Sequence, residues 1–465
     1  MIEDGLPIPR RHWSVLAVAL ATSLAVLDGS IVNVALPSIS RELHVGPAEA
    51  IWVVNAYQIT VFIALLPLAS LAETLGYRRV YLSGIAVFTL ASLSCALATS
   101  LETLIFARVA QGLGAACIMC LNGAITRFNY PKAILARGIA VNAMVVASGT
   151  ALGPTLGAAI LAVGPWPWLF AVNVPLGILA LWMGHRNMPS PPVSLGAFDW
   201  TSAALHAVAF GLIMVGADSL SHGDRASMGV LELAVGFTAG FLLVRRSLAQ
   251  ERPLVPVDLL RIPIFALSIC SSVTTFTSQT LVFVALPFVL QYGLGRSEVE
   301  TGLLMTPWPL AVVIVAPISG RLVERFSAGL LGGLGLAVMA VGLFMLATLP
   351  QPASAWDIGW RMALCGAGFA VFQSPNNRTL LTAAPVERSG GAAGMLATGR
   401  LLGQTIGATL VAFLFRVFPD SHSATWPIGM ACAFAAVASV ISTLRMTTRT
   451  PPHAGGGPSA ETPTI

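Results

Sequence analysis

Long apolar runs recur along almost the whole chain, and they decide what it can fold into. A helix that crosses a bilayer needs about 20 consecutive apolar residues, since it rises about 1.5 Å per residue through hydrocarbon about 30 Å thick. Segmenting on that length gives fourteen runs, at 13–36, 51–73, 79–98, 103–126, 136–163, 166–185, 200–217, 228–247, 262–291, 300–321, 328–348, 357–382, 390–418 and 424–445. Asp218 ends the seventh and Glu232 enters the eighth, which makes these two the weakest of the fourteen. Charged residues are only 10% of the 465, against about 25% in soluble proteins. The expectation is an all-α polytopic membrane protein.

Basic residues test the count, because cytoplasmic loops are enriched in Arg and Lys. With the amino terminus inside, only Arg41, Arg225 and Arg296 fall in outer loops. Arg108, Arg361, Arg378, Arg400 and Arg416 lie in or at the edge of spans, and every other Arg, with Lys132, falls inside. That asymmetry supports fourteen spans with both ends cytoplasmic. Trp13, Trp52, Trp166, Trp168, Trp200, Trp356 and Trp426 fall near span ends, as an interfacial aromatic belt would. The start, Arg10–Arg11 followed by a short apolar run and Ala19-Leu20-Ala21, imitates a signal peptide. The apolar stretch runs on to Leu36, so an uncleaved first span is expected, ending at Pro37.

Inside this apolar frame the polar residues carry the information. Asp28 lies in the first span, within LDGSIVNVALPSI, where a charge costs roughly 2.5–3.5 kcal/mol on insertion scales. Burial favours the neutral form of an acid, so Asp28 is either a proton carrier or a hydrogen-bonded structural acid. Arg108, six residues into the fourth span, needs a partner at that depth. Asp28 is the only deeply embedded carboxylate of the first six spans, and charge balance points to it, with or without direct contact. Asn55 and Gln58, three apart in the second span, share a helix face and either line a cavity or bond across helices. In the fifth span Gly149, Gly153 and Gly157 make a stripe for close helix contact, and Pro154 removes one backbone bond. Between the second and third spans, ASLAETLGYRRV joins Glu73, Gly76, Arg78 and Arg79 in a short charged turn that can pin two helices in one state and release them in another.

The chain also repeats itself. VALP at Val34–Pro37 recurs at Val284–Pro287, and SLAETLG at Ser70–Gly76 is echoed by RLVERFS at Arg321–Ser327, matching Glu73 to Glu324 beside Arg325. Offsets of 250 and 251 fit six helices, two inserted helices and six more. Parallel halves of this kind place a binding site between them near mid-membrane. The expected units are a lead (1–12), a first bundle (13–185), a linker with two helices (186–261), a second bundle (262–445) and a disordered tail (446–465). The second half offers Ser278 and Gln279 near the position of Asp28, not an acid. It also carries Asn376, Asn377 and Arg378, and then Arg400 at mid-depth with Gln404 four residues on. Arg400 contacts substrate, pairs across helices or reaches cavity water.

Several functions are excluded. Basic residues scattered singly among spans do not form a nucleic-acid surface. The only lysine, Lys132, lies between Pro131 and Ala133, so no Gly-Lys-Ser/Thr phosphate loop exists and ATP does not drive the protein. No His/Cys/carboxylate cluster has metal-ligand spacing, and no cofactor is expected. Cys117 and Cys120 have CxxC spacing but lie on a small-residue helix, as packing residues. A membrane-embedded enzyme or sensor would need a nucleophile–base pair or a soluble domain, and neither is visible.

Taken together the motifs resemble the major facilitator superfamily, in its fourteen-span drug:proton antiporter branch. LDGSIVNVALPSI is similar to that branch's first-helix signature, with Ser30 where Thr is usual. ASLAETLGYRR is similar to the superfamily's loop between helices 2 and 3, with Ala69 for Gly, Glu73 for Asp, and Thr74 and Tyr77 for basic residues. RVAQGLGAA resembles the helix 4 motif and GTALGPTLGA the antiporter motif of helix 5, with Ala158 for the final Gly. WPWLFAVNVPLG resembles the start of helix 6. The resemblance implies the major facilitator fold, two six-helix bundles plus two inserted helices, in a bacterial-type inner membrane. It implies export of small lipophilic or amphipathic compounds against proton entry, by a monomeric transport unit. Asp28 would then be the protonation site and Arg108 its modulator. Gly149, Gly153, Pro154 and Gly157 would form a hinge, and Glu73, Gly76, Arg78, Arg79, Glu324 and Arg325 a cytoplasmic gate. Candidate substrate contacts are Asn33, Asn55, Gln58, Gln111, Gln279, Asn376, Asn377, Arg400 and Gln404. With one deep acid against Arg108 and Arg400, neutral, monocationic or zwitterionic substrates are expected. The rival is an exporter dedicated to one metabolite or organic anion read by Arg400.

Overall fold

The architecture comes from a computed structural model that describes residues 5–190, 198–220, 226–250, 253–350, 352–385, 388–418 and 425–447. Arg225, Arg252 and the tail beyond 447 lie outside the described residues. In hydrocarbon every backbone N–H and C=O must be paired within its own segment, which a helix achieves alone. Fourteen long helices run through the described residues: α1 (Arg10–Glu42), α2 (Pro47–Leu75), α3 (Tyr77–Ala96), α4 (Leu101–Asn129), α5 (Leu135–Leu161), α6 (Trp168–Asn187), α7 (Trp200–Ser219), α8 (Ala226–Leu248), α9 (Pro263–Gly293), α10 (Glu298–Leu322), α11 (Ala328–Ala347), α12 (Ala355–Ala383), α13 (Ser389–Val417) and α14 (Trp426–Leu444).

Twelve helices are long and apolar enough to cross a membrane by length and composition. The other two, α5 and α12, have 27 and 29 residues. Length does not set them apart. α12 carries Asp357, Arg361, Asn376, Asn377 and Arg378, and the apolar stretches within α5 are the shorter Arg137–Val146 and Leu152–Leu161.

Helix α1 does not end at Pro37, as expected, but continues to Glu42. A proline inside a helix deletes one i→i−4 bond and bends the rod; the residues after it still find partners. Tyr292 donates its hydroxyl to the Pro37 carbonyl at 2.8 Å, and Pro287 likewise sits inside α9, which closes with a π-turn over Val289–Gly293.

The two halves pack by one plan. In the first, α1 packs on α5 and α6, α4 on α2 and α3, and α3 on α6. Eight helices on, α9 packs on α13 and α14, α12 on α10 and α11, and α11 on α14. The seams between halves match as well, α5 against α10 and α13 against α2, with α1 touching α9. The inserted pair α7–α8 packs on itself, and α7 reaches both α2 and α13. Asp199 caps α7 and binds Arg246 and Gln250 of the α8 end. Burial opposes its ionisation, but the hydrogen bonds from Ser202, Gln250 and Arg246 hold its carboxyl well below the usual carboxylate range.

Polar links between the halves gather at the end of the bundle opposite the start of α1. Gln291 donates to the Val34 carbonyl at 3.0 Å, Thr155 meets Thr306 at 2.7 Å, and Glu298 accepts from Ser38 and pairs with Arg41 at 3.7 Å. Of the tryptophans expected at the interface, Trp13, Trp168, Trp200, Trp356 and Trp426 are exposed, whereas Trp166 is buried at 3% against Phe170.

Helices α3 and α4 approach through glycines. A Cβ on Gly114 would lie 2.5 Å from the Phe88 amide nitrogen and 2.7 Å from the Gly84 carbonyl. Neither backbone can yield cheaply. Gly114→Val is expected to lower stability by about 1–3 kcal/mol, the usual cost of overpacking. A detergent-solubilised thermal melt unchanged from wild type would contradict this contact.

Candidate functional site

Asp28 and Arg108 are 1% and 0% exposed and form an ion pair between α1 and α4. A buried charge is tolerable only when its remaining hydrogen-bonding capacity is met, and here both carboxylate oxygens and two of the three guanidinium nitrogens have partners. The second Asp28 oxygen, Oδ1, accepts from Gln111 at 2.9 Å and from Asn173 of α6 at 3.0 Å. Arg108 donates through Nε to the Val53 carbonyl of α2 at 2.9 Å and through Nη1 to Gln111 Oε1 at 2.6 Å. Gln111 also donates to Ser92 of α3 at 2.9 Å. The guanidinium lies over the Tyr57 ring at 4.2 Å and the Phe170 ring at 5.5 Å, within cation–π range. Five helices of the first half thus meet on one ion pair.

Tyr57 has a second face. Its hydroxyl donates to the Ala25 carbonyl at 2.8 Å, and the residue lines a cavity of about 70 Å3 where the two halves meet. Ala25, Val26, Gly29 and Ser30 of α1, Gln58 and Val61 of α2, Met119 of α4, and Arg400, Leu401 and Gln404 of α13 complete the lining. Tyr57 is therefore the wall between the ion pair and the cavity. A larger recess of about 500 Å3 lies elsewhere, at the turn between α2 and α3, lined by Tyr77, Arg78, Arg79, His185 and Ser190. The central cavity is the better candidate because both halves contribute to it.

Major Facilitator Superfamily patterns match residues 18–408 and 268–464. The chain belongs to this superfamily. It is 50% identical over 446 residues to the uncharacterized transporter YebQ of Escherichia coli (strain K12), covering 96% of this chain and 97% of that protein. It is 34% identical over 428 residues to the multidrug resistance protein Stp of Mycobacterium tuberculosis (strain CDC 1551 / Oshkosh), covering 88% and 79%. A crystal structure of the peptide transporter POT in complex with sulfate superposes with a TM-score of 0.71 at 15% identity over 94% of both chains, a likeness of fold. Superfamily membership, the apolar helices and bacterial relatives make this a multi-pass inner-membrane transporter.

Within the superfamily fold, the residues singled out from sequence scatter. Asp28 and Arg108 touch. Gln58, Arg400 and Gln404 line the cavity together, whereas Asn33 and Asn55 are buried with Oδ1 unpartnered and are not in its lining. Gln279 and Asn377 are half-buried and outside it too. Two expected substrate contacts are engaged by side chains of the protein. Gln111 is consumed by Asp28, Arg108 and Ser92, and Asn376 by Ser272 at 2.7 Å and Arg445 at 2.6 Å. Among the described residues the expected gate is not joined by ion pairs. Glu73, Arg79, Glu324 and Arg325 are exposed, and Arg78 instead binds Ser190 at 3.2 Å and the His185 carbonyl beside the end of α6. Gly76, at φ +98°, makes the sharp turn between α2 and α3.

The glycine stripe of α5 faces α1 on either side of Asp28. A Cβ on Gly149 would lie 3.3 Å from Val26, on Gly153 2.0 Å from Ser30 Oγ, and on Gly157 3.1 Å from Ile31. Beyond Pro154, Gly302 of α10 packs against the Pro154 carbonyl and Ala158. Sequence reasoning missed Asn173, Tyr57 and Ser92. Asn173 carried a usable signal, as a lone amide in the apolar run FAVNVPLG.

Removing one partner of a buried pair leaves the other charge unpaired, which costs about 3–5 kcal/mol. Arg108→Ala should destabilise by that order, and Asp28→Ala combined with it should cost clearly less than the two singles added. Thermal melts of the four proteins of this cycle check it; strict additivity would mean that the pair is not coupled.

Proposed function

We propose that the protein exports small lipophilic or amphipathic compounds in exchange for protons, by alternating access across fourteen spans with both termini cytoplasmic. The observation that carries this reading is the position of Asp28. It is a deep carboxylate sealed by Arg108, Gln111 and Asn173, one tyrosine ring from a cavity between the halves. The multidrug relative Stp supports the substrate class. Residues 13–185 and 262–445 serve as the two moving bundles and 186–261 as the linker. The transport unit in this reading is a monomer.

The mechanism follows from charge. Protonation of Asp28 removes the anion that neutralises Arg108, and an unpaired guanidinium at that depth is costly. The guanidinium then shifts, and with it Tyr57, to which its cation–π contact ties it. α1 responds through Val26, Ser30 and Ile31 against the glycines of α5, and α5 passes the change to Gly302 of the second half. One proton moving down about 100 mV releases roughly 2.3 kcal/mol, and each pH unit adds about 1.4. For a neutral substrate exchanged one for one, that sustains a gradient on the order of 100-fold.

In proteoliposomes, Asp28→Asn is expected to abolish export driven by a pH gradient while retaining substrate binding. Full ΔpH-driven export by this variant would remove the coupling role. Gly153→Leu, which drives a side chain into Ser30, is expected to slow exchange at least tenfold with binding retained; a wild-type exchange rate would refute the hinge.

A further inference from the structure

The charged groups inside the described bundle are unequally partnered. Arg108 has Asp28, Arg361 has Asp357 at 3.1 Å, and Arg416 has Asp218 at 3.2 Å. Arg445 donates to Ser268, Asn376 and the Ser442 carbonyl. Arg400 has none of this. It forms no ion pair or hydrogen bond among the described residues, its Nε is buried without a partner, and its guanidinium lies 5.7 Å from the Phe276 ring. It opens onto the central cavity, whose lining holds no Asp or Glu. Gln58 and Gln404 line the same space without hydrogen bonds among the described residues, and Gln58, only 7% exposed, has its Oε1 unpartnered.

A half-buried cation with its Nε unpartnered and two free amides beside it, set among Val26, Val61, Met119 and Leu401, matches a particular ligand. We propose that the cavity binds an amphiphile through one anionic head, a carboxylate or its equivalent, with Arg400 as counter-ion and the amides of Gln58 and Gln404 as donors. A guanidinium presents a planar fork of N–H groups that suits a carboxylate. A cationic substrate finds no acid in the lining, because Asp28 lies behind Tyr57 with both oxygens engaged. The apolar wall takes the body of the ligand. At about 70 Å3 the space accommodates a head group rather than a whole drug-sized molecule, which needs roughly 300 Å3 or more. The body enters as the halves separate. This inference rests on the exporter reading for its direction of transport, not for its binding chemistry.

The test uses three probes with one apolar body and different heads: pyrenebutyrate, its methyl ester and pyrenebutylamine. Binding to the purified full-length protein is measured by tryptophan quenching. The carboxylate is expected to bind at least tenfold more tightly than the ester or the amine. Arg400→Gln should erase that preference while leaving ester binding and the size-exclusion profile unchanged, and Arg400→Lys should retain part of it. Equal binding of the three probes by wild type, preference for the amine, binding of none, or an Arg400→Gln protein that keeps the preference overturns the proposal. Transport separates the two readings. Ester and carboxylate exported equally under a pH gradient leave the exporter standing and remove the anion site. Tight, Arg400-dependent carboxylate binding without proton-driven export leaves the site and removes the exporter.

Discussion

The first half of this protein is organised by the cost of placing one ion pair where there is no water. Asp28 and Arg108 cannot be solvated, so the fold must supply what water would. It does so from five helices: the carboxylate from α1, the guanidinium and Gln111 from α4, the Val53 carbonyl and the Tyr57 ring from α2, Ser92 from α3 and Asn173 from α6. Such a network holds only in its complete form. In the proposed coupling, a change in one proton would unbalance contacts on every helix it joins.

The second half repeats the packing and omits the charge pair. Where α1 has Asp28, α9 has Ser278 bonded to the Ala431 carbonyl at 2.6 Å, a neutral link that responds to no proton. The second half instead contributes Arg400 to the shared cavity. The duplication therefore yields two bundles of one shape and unlike chemistry. One holds its charge sealed behind an aromatic ring, and the other presents its charge to whatever enters.

Glycine decides how closely these bundles can approach within themselves and across the seam. The α5 stripe lets α1 come to contact beside Asp28, and Gly302 lets α10 meet α5 on the other side. Among the described residues the expected charged gate at the α2–α3 turn contributes no ion pair; Arg78 ties instead to the end of α6. The halves are joined by Gln291, Thr155, Thr306 and Glu298 at the opposite end.

The sequence by itself determined the medium, the helical class and the candidates for chemistry, because the bilayer's demand for long apolar runs is local and can be read residue by residue. It also exposed the duplication, through VALP and the paired Glu73 and Glu324. It pointed from Arg108 to Asp28 by charge balance, since a buried charge requires its opposite. Only the tertiary structure decided which polar residues are used up and which are free. Gln111 and Asn376 look like cavity amides in sequence, but side-chain partners 83 and 69 residues away, Asp28 and Arg445, engage them. Asn173, 145 residues from Asp28, joins the pair for the same reason. Arg400 is a candidate in sequence, and that inventory shows it without an ion pair or hydrogen bond among the described residues. Hydrogen-bond satisfaction is a property of three-dimensional neighbours, and no spacing along a single helix encodes it.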